Sequence, residues 1–86
     1  MTKEIKGAIM DILKYWVNVR NYGHCSIHPD IRQEILLRDN KIRIDRKNDI
    51  ITQNGKPILK IKRRFAARRV NLMYKELTPE LLPIKE

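Results

Sequence analysis

Hydrophobic residues in the N-terminal part of the chain recur at steps of three and four positions. This spacing places them along one face of an α-helix, with polar residues on the other side. The apolar face consists of Ile5, Ala8, Ile9, Ile12, Leu13, Trp16 and Val17. Thr2 is a suitable N-cap, and Gly23 is a suitable C-terminal stop. The pattern predicts a first helix over about residues 3–20.

A second, shorter helix is predicted from Pro29 to about Arg38. Proline is common at the first position of a helix, and Ser26 or His28 is placed to act as the N-cap. The predicted inward face of this helix is made of Ile31, Ile35 and one or both of Leu36 and Leu37.

Apolar and polar residues then alternate, which is the period of a β-strand with one buried face. Three strands are predicted, over about residues 41–46, 50–53 and 58–63. Asn54-Gly55 lies between the second and the third and is a strong hairpin signal, because both residues tolerate a positive φ. The three strands are therefore expected to form an antiparallel meander.

The period changes again after the third predicted strand. Polar residues recur at steps of four, three and four, and apolar residues repeat the same spacing on the opposite side. The polar stripe consists of Arg64, Arg68, Asn71 and Lys75, and the apolar stripe of Ala66, Val70, Met73 and Leu77. This pattern predicts an amphipathic helix with a basic stripe. Residues 78–86 contain two prolines and are expected to form an acidic and apolar tail.

Together these elements predict a small α+β domain over residues 1–77, with two N-terminal helices, a three-stranded antiparallel meander and a basic C-terminal helix. A chain of 86 residues buries too little surface to support two cores. The first and third helices are expected to cover one face of the sheet. The open face is expected to present Lys41, Arg43, Lys60 and Lys62.

The formal net charge of +9 is unevenly distributed. Residues 40–75 contain twelve basic and two acidic residues, whereas residues 1–39 contain six and five. Such a concentration of charge favours binding to a phosphate backbone, an anionic lipid or an acidic protein surface. The alternative is a solvated basic face that serves solubility alone.

The basic segment predicts a nucleic-acid interface, because arginine binds phosphate in two places or reaches the major-groove edge of guanine. The predicted contact residues are Lys41, Arg43, Lys60, Lys62, Arg63, Arg64, Arg68, Arg69, Asn71 and Lys75. None of the five aromatic residues lies in a predicted strand, which argues against stacking of single-stranded bases on the sheet. Duplex DNA is therefore favoured over RNA, in a regulatory role. The small size also suits a protein encoded by a virus or mobile element.

A second hypothesis is an interaction protein, an inhibitor or adaptor that docks on an acidic surface of a larger nucleic-acid-processing complex. Such an interface needs apolar anchors within a polar rim. Candidate anchors are Ile58, Leu36 or Leu37, and the C-terminal residues Leu81, Leu82 and Ile84. A homodimer is also compatible with a chain of this size.

The sequence contains no catalytic motif, since no Gly-rich phosphate loop or nucleophile with an adjacent base is present. We therefore predict that the protein is not an enzyme. His24, Cys25 and His28 have the side chains that zinc prefers, but a second cysteine and a third histidine are missing. No metal or other cofactor is predicted.

The single cysteine, Cys25, excludes an internal disulfide bond. The sequence also lacks a run of 18 apolar residues, and its N-terminal part lacks the long apolar core that is typical of a signal peptide. These features predict an intracellular protein of a reducing compartment such as the cytoplasm, with no membrane partner.

Overall fold

The computed structural model describes residues 2–23, 28–67 and 74–84. Its first helix, α1, spans Lys3–Tyr22 and confirms the prediction. The hydroxyl of Thr2 caps the helix by accepting a hydrogen bond from the backbone N–H of Ile5 at 3.3 Å. At the other end, Gly23 has a φ of 78° and donates its N–H to the carbonyl of Val19 at 2.8 Å. Glycine adopts this left-handed conformation without steric cost, so the helix ends there.

The second helix, α2, spans Ile31–Asp39 and begins two residues later than predicted. Its N-cap is Asp30, whose carboxylate accepts a hydrogen bond from the backbone N–H of Arg32 at 3.0 Å. The prediction that Ser26 or His28 caps this helix is therefore wrong. An aspartate at the cap also places a negative charge at the positive end of the helix dipole.

The inward face of α2 differs in part from the prediction. Leu37 is buried and Leu36 packs against the core, but Ile31 and Ile35 are 68 % and 45 % exposed. The least exposed positions of the segment are Gln33, Leu36, Leu37 and Asn40, which form one stripe on a helix. Ile31 and Ile35 lie on the opposite side of the helix from that stripe. The side-chain amide of Gln33 donates to Asp11 of α1 at 2.5 Å, which favours this rotation of α2.

Four antiparallel strands form one sheet, in the order of the sequence. They are β1 (Ile42–Asp45), β2 (Ile50–Gln53), β3 (Lys56–Ala67) and β4 (Tyr74–Pro83). The α+β class and the meander of the first three strands are confirmed. However, β3 is longer than predicted and β4 takes the place of the helix.

The predicted C-terminal helix is wrong. Arg64 lies in β3 and Lys75 in β4, where Lys75 pairs with Ala66. Arg68 and Asn71 of the predicted stripe lie outside the described residues. Residues 78–83, which the sequence pattern assigns to a tail, form the second half of β4.

A proline is the reason why the sequence pattern did not predict β4. Pro79 interrupts the segment and cannot donate a ladder hydrogen bond. It is tolerated because β4 is an edge strand and because the β3–β4 register shifts between Lys62 and Arg64, next to this proline. The polar and apolar residues of β3 fit the two-residue period of a strand as well as they fit the helical period. Pairing with a segment that is distant in the sequence therefore decides that these residues form a strand.

The core lies between α1, α2 and one face of the sheet. Its buried members are Ile5, Ala8, Ile9, Ile12, Leu13, Leu37, Ile42, Ile51 and Ile61. Ile9 of α1 and Ile51 of β2 are completely buried. Because side chains alternate along a strand, residues adjacent to Ile42, Ile51 and Ile61 project from the opposite face, which α1 does not cover.

The Asn54-Gly55 hairpin turn is confirmed, with φ values of 54° and 82°. We expect Gly55→Ala to lower the free energy of unfolding by about 1 kcal/mol, because an alanine is strained at this φ. Urea denaturation measures the change. Gly7→Ala in α1 is the matched control and should instead stabilise the protein by about 0.5 kcal/mol, since a Cβ there meets no atom within 4 Å. A stabilising Gly55→Ala would contradict the assignment of the turn.

Candidate nucleic-acid interface

Three basic residues of β3 lie on the face of the sheet opposite α1. Ile61 is buried in the core, so alternation directs Lys60 and Lys62 to the other face, and Arg64 follows them. All three side chains are exposed. The rise of a strand places neighbouring members about 6.6 Å apart, and the row is about 13 Å long. This spacing matches a polyanion with many closely spaced charges.

Arg43 of β1 lies on the same face as this row. The register pairs Arg43 with Thr52 and Ile50 with Lys60, and Thr52 and Ile50 are two positions apart on β2. Arg43 is also exposed. We call the set Arg43, Lys60, Lys62 and Arg64 the basic sheet face. Three of the four residues that the sequence placed on the open face are therefore brought together there.

Lys41, the fourth residue, lies in the turn before β1 with a φ of 56° and is exposed. It lines a concavity of about 730 Å³ together with Arg43, Arg46 and the Asn54-Gly55 turn. Lys41 therefore extends the positive surface past the N-terminal end of β1.

Asp45 lines the same concavity, but its carboxylate is engaged in the β1–β2 turn. It accepts hydrogen bonds from the backbone N–H groups of Lys47 and Asn48 at 3.0 and 3.1 Å and from the side-chain amide of Asn48 at 2.9 Å. The side-chain and backbone bonds from Asn48 contribute most to holding the pKa of Asp45 below its ordinary value. Asp45 therefore serves the turn and remains ionised at neutral pH.

Apolar and acidic residues of β4 flank the row. Lys60 pairs with Leu82, Lys62 with Glu80 and Arg64 with Leu77. Glu80 Oε1 lies 3.9 Å from Arg64 Nη1, and both side chains are about half exposed. An exposed pair of this kind contributes roughly 0–1 kcal/mol. Arg64 can therefore exchange Glu80 for a phosphate at little cost.

Arg63 lies on the α1 side of the sheet, away from the basic sheet face. Its Nε donates to Glu76 Oε1 at 2.8 Å, and its Cζ lies 5.2 Å from the ring centroid of Phe65. Arg20 at the end of α1 donates to both oxygens of the same carboxylate, at 2.5 and 2.8 Å. Glu76 is only 5 % exposed. Two arginines thus share one buried carboxylate between α1 and β4.

Asn21 reinforces the same contact. Its side-chain amide donates to the backbone carbonyl of Glu76 at 2.8 Å and accepts from the Glu76 N–H at 3.0 Å. Burial is the largest influence on Glu76 and favours the neutral acid, but the hydrogen bonds and charges of Arg63 and Arg20 together outweigh it. The pKa of Glu76 therefore lies below its ordinary value, and the pKa of Arg63 is raised by the same hydrogen bond.

The remaining predicted contact residues do not extend the row within the part of the chain that the structure describes. The ammonium of Lys75 lies 5.1 Å from the ring centroid of Tyr22, at the end of α1. Arg68, Arg69 and Asn71 lie outside the described residues.

No group of three His, Cys, Asp or Glu side chains is placed to hold a metal ion among residues 2–23, 28–67 and 74–84. His24 and Cys25, which share the sequence cluster with His28, lie outside these ranges. His28 itself is exposed and lies beside Tyr15, with ring centroids 5.4 Å apart.

Sequence reasoning missed a groove between α1, α2 and β1, with a volume of about 560 Å³. We call it the aromatic groove. It is lined by the aromatic residues Tyr15, Trp16 and His28, the charged residues Glu34, Arg38 and Arg43, and the apolar residues Ile12, Pro29, Leu37, Ile42 and Ile44. The Tyr15-Trp16 pair was visible in the sequence, but its proximity to His28 and β1 depends on how the helices pack.

No protein-family model, curated protein or solved structure shows a significant match to this chain. Within the described residues, neither helix has the length and apolar character needed to cross a bilayer. The function is therefore inferred from the geometry of the basic sheet face and the aromatic groove.

Proposed function

We propose that this protein binds nucleic acid through the basic sheet face, with duplex DNA favoured over RNA, and that it acts as a regulator. The observation that carries the proposal is the row of Lys60, Lys62 and Arg64, three exposed cations at the spacing of one strand face. Phosphate contacts require such cations in a fixed array, because each contact releases counterions from the nucleic acid.

The distribution of ion pairs supports the same surface. On the α1 side, the buried Glu76 pairs with both Arg63 and Arg20 and offsets one of their two positive charges. By contrast, the only ion pair of Arg64 within the described residues is the long contact with Glu80, at 3.9 Å. Arg64 therefore remains available to a ligand, together with the exposed Lys60 and Lys62.

The shape of the β3–β4 pair favours DNA. The pairing of β2 with β3 ends at Lys60, so Lys62 and Arg64 lie where β3 and β4 form a two-stranded ribbon. The major groove of B-DNA is about 12 Å wide and admits such a ribbon, and Lys62 and Arg64 then face the groove and its phosphates. The major groove of A-form RNA is deep and narrow, and side chains cannot read it. In this proposal the β3–β4 ribbon takes the place of the predicted basic helix.

The test is binding of the purified protein to labelled duplex DNA, duplex RNA and single strands of equal length. With four or five phosphate contacts, we expect the affinity for duplex DNA to fall about 150- to 500-fold between roughly 50 and 200 mM salt. Duplex RNA should bind more weakly at both concentrations. Affinity that does not change with salt, or equal binding of both duplexes, would contradict the proposal. An acidic protein surface would then be the next partner to test.

A further inference from the structure

The aromatic groove combines an apolar floor with three aromatic side chains. Tyr15 and His28 lie with their ring centroids 5.4 Å apart and their planes tilted by 46°. Trp16 is only partly buried, and the guanidinium of Arg46 packs against its ring at 4.2 Å without lining the groove. Aromatic side chains of this kind are platforms for nucleobases, since every base has a π-face to stack on.

Polar groups in the groove match the rest of a nucleotide. Arg38 and Arg43 line the groove and are both exposed, and a guanidinium group is suited to bind a phosphate. The carboxylate of Glu34 is suited to accept a hydrogen bond from the exocyclic amine of a base. The volume of about 560 Å³ lies within the range of small-ligand sites.

The aromatic groove also meets the surface that holds the duplex. Arg43 and Ile44 line both this groove and the concavity formed with Lys41 and Arg46. Arg43 is itself a member of the basic sheet face. Because β1 is an edge strand of the sheet, a nucleic-acid strand that leaves the basic sheet face passes Arg43 at this edge before it reaches the groove.

We propose that the aromatic groove binds an unpaired nucleotide, with its base stacked on the aromatic side chains and its phosphate on Arg38 and Arg43. The preferred ligand is then a duplex that continues into a single strand. This inference rests on the proposed function and adds a second, single-strand-specific subsite to it. The sequence pattern argued against stacking on the predicted strands and favoured a packing role for Tyr15 and Trp16, whereas the structure places both residues in this groove.

Trp16 is the only tryptophan of the chain and reports on the groove directly. The experiment compares a blunt duplex with the same duplex carrying a short single-stranded overhang, and follows both affinity and Trp16 fluorescence. We expect the overhang to bind about tenfold tighter, the effect of stacking one base, and to quench Trp16. Equal affinities with no added quenching would overturn the proposal while leaving the proposed function intact.

Tyr15→Leu removes one ring from the groove and is expected to reduce the affinity for the overhang duplex to that of the blunt duplex. Tyr22→Leu is the matched control, because Tyr22 lies in the same helix but does not line the groove. It should preserve the tenfold difference. A Tyr15→Leu protein that is folded and still prefers the overhang by tenfold would overturn the proposal.

Arg38→Gln provides a second test at an exposed position where folding is not at risk. It should reduce the preference for the overhang about threefold or more, whereas Arg32→Gln, on the same helix but outside the groove, should not. If no duplex binds, the proposed function fails and the short single strand alone is titrated against Trp16. Quenching that Arg38→Gln weakens then supports the groove, and its absence overturns it.

Discussion

Replacing Lys60, Lys62 and Arg64 together by glutamine is expected to weaken binding to duplex DNA by about a hundredfold at roughly 0.1 M salt. Each of these residues is exposed on one face of β3, and removing one phosphate contact reduces the slope of log K against log salt by about one. The slope of the triple variant should therefore be smaller in magnitude by about three. A salt titration of the wild type and the variant measures both quantities.

The matched control is replacement of Lys3, Lys6 and Lys14 by glutamine. These three lysines are exposed on α1, on the other side of the molecule from the basic sheet face. The control removes the same charge, so only long-range attraction should decrease and the affinity should fall by less than about fivefold. Equal decreases in the two triple variants would show that net charge, and not a site, drives binding.

Glu76→Gln is expected to lower the free energy of unfolding by about 3 kcal/mol. The carboxylate is 5 % exposed and accepts hydrogen bonds from both Arg20 and Arg63. Without it, two guanidinium groups repel each other beside a buried amide, and the charge-assisted bonds between α1 and β4 are removed. Urea denaturation followed by Trp16 fluorescence measures the decrease in stability.

Glu80→Gln is the control in the same strand. Glu80 is about half exposed and its contact with Arg64 is long, so the change should be within about 0.5 kcal/mol. A Glu76→Gln protein as stable as the Glu80→Gln protein, with both changes within about 0.5 kcal/mol, would show that the two arginines on Glu76 do not stabilise the fold.

The pH dependence gives a second readout of Glu76. Because its pKa in the folded protein lies below its ordinary value of 4.5, its stabilisation is complete above that value and is lost as the pH falls through the folded pKa. The difference in stability between the wild type and Glu76→Gln should therefore be largest at neutral pH and shrink below about pH 4.5. A difference that grows in acid would contradict the ion pair.

Arg63 and Arg64 show how the fold assigns different roles to identical neighbours. Alternation along β3 directs Arg63 to the α1 side, where it binds the buried Glu76, and Arg64 to the open face. Both were predicted as nucleic-acid contacts from charge alone. We expect only Arg64 to act in binding, and Arg63 to act in stability.

Local patterns in the sequence were sufficient for α1, for the turn at Asn54-Gly55 and for the first part of the sheet. A helix with a clear apolar face and caps at Thr2 and Gly23 is specified by residues within a few positions of one another. The hairpin is local as well, because both turn residues tolerate a positive φ. These elements, and the class of fold, follow from interactions between sequence neighbours.

The tertiary structure alone decided the C-terminal third. The spacing of residues 64–77 is consistent with a helix, but β3 has a partner in Tyr74–Pro83, and strand pairing depends on segments that are distant in sequence. The same holds for the Arg20–Glu76 contact, which joins residues 56 positions apart, and for the aromatic groove between α1, α2 and β1. Long-range contacts of this kind leave no periodic signal in the sequence, so only the folded chain reveals them.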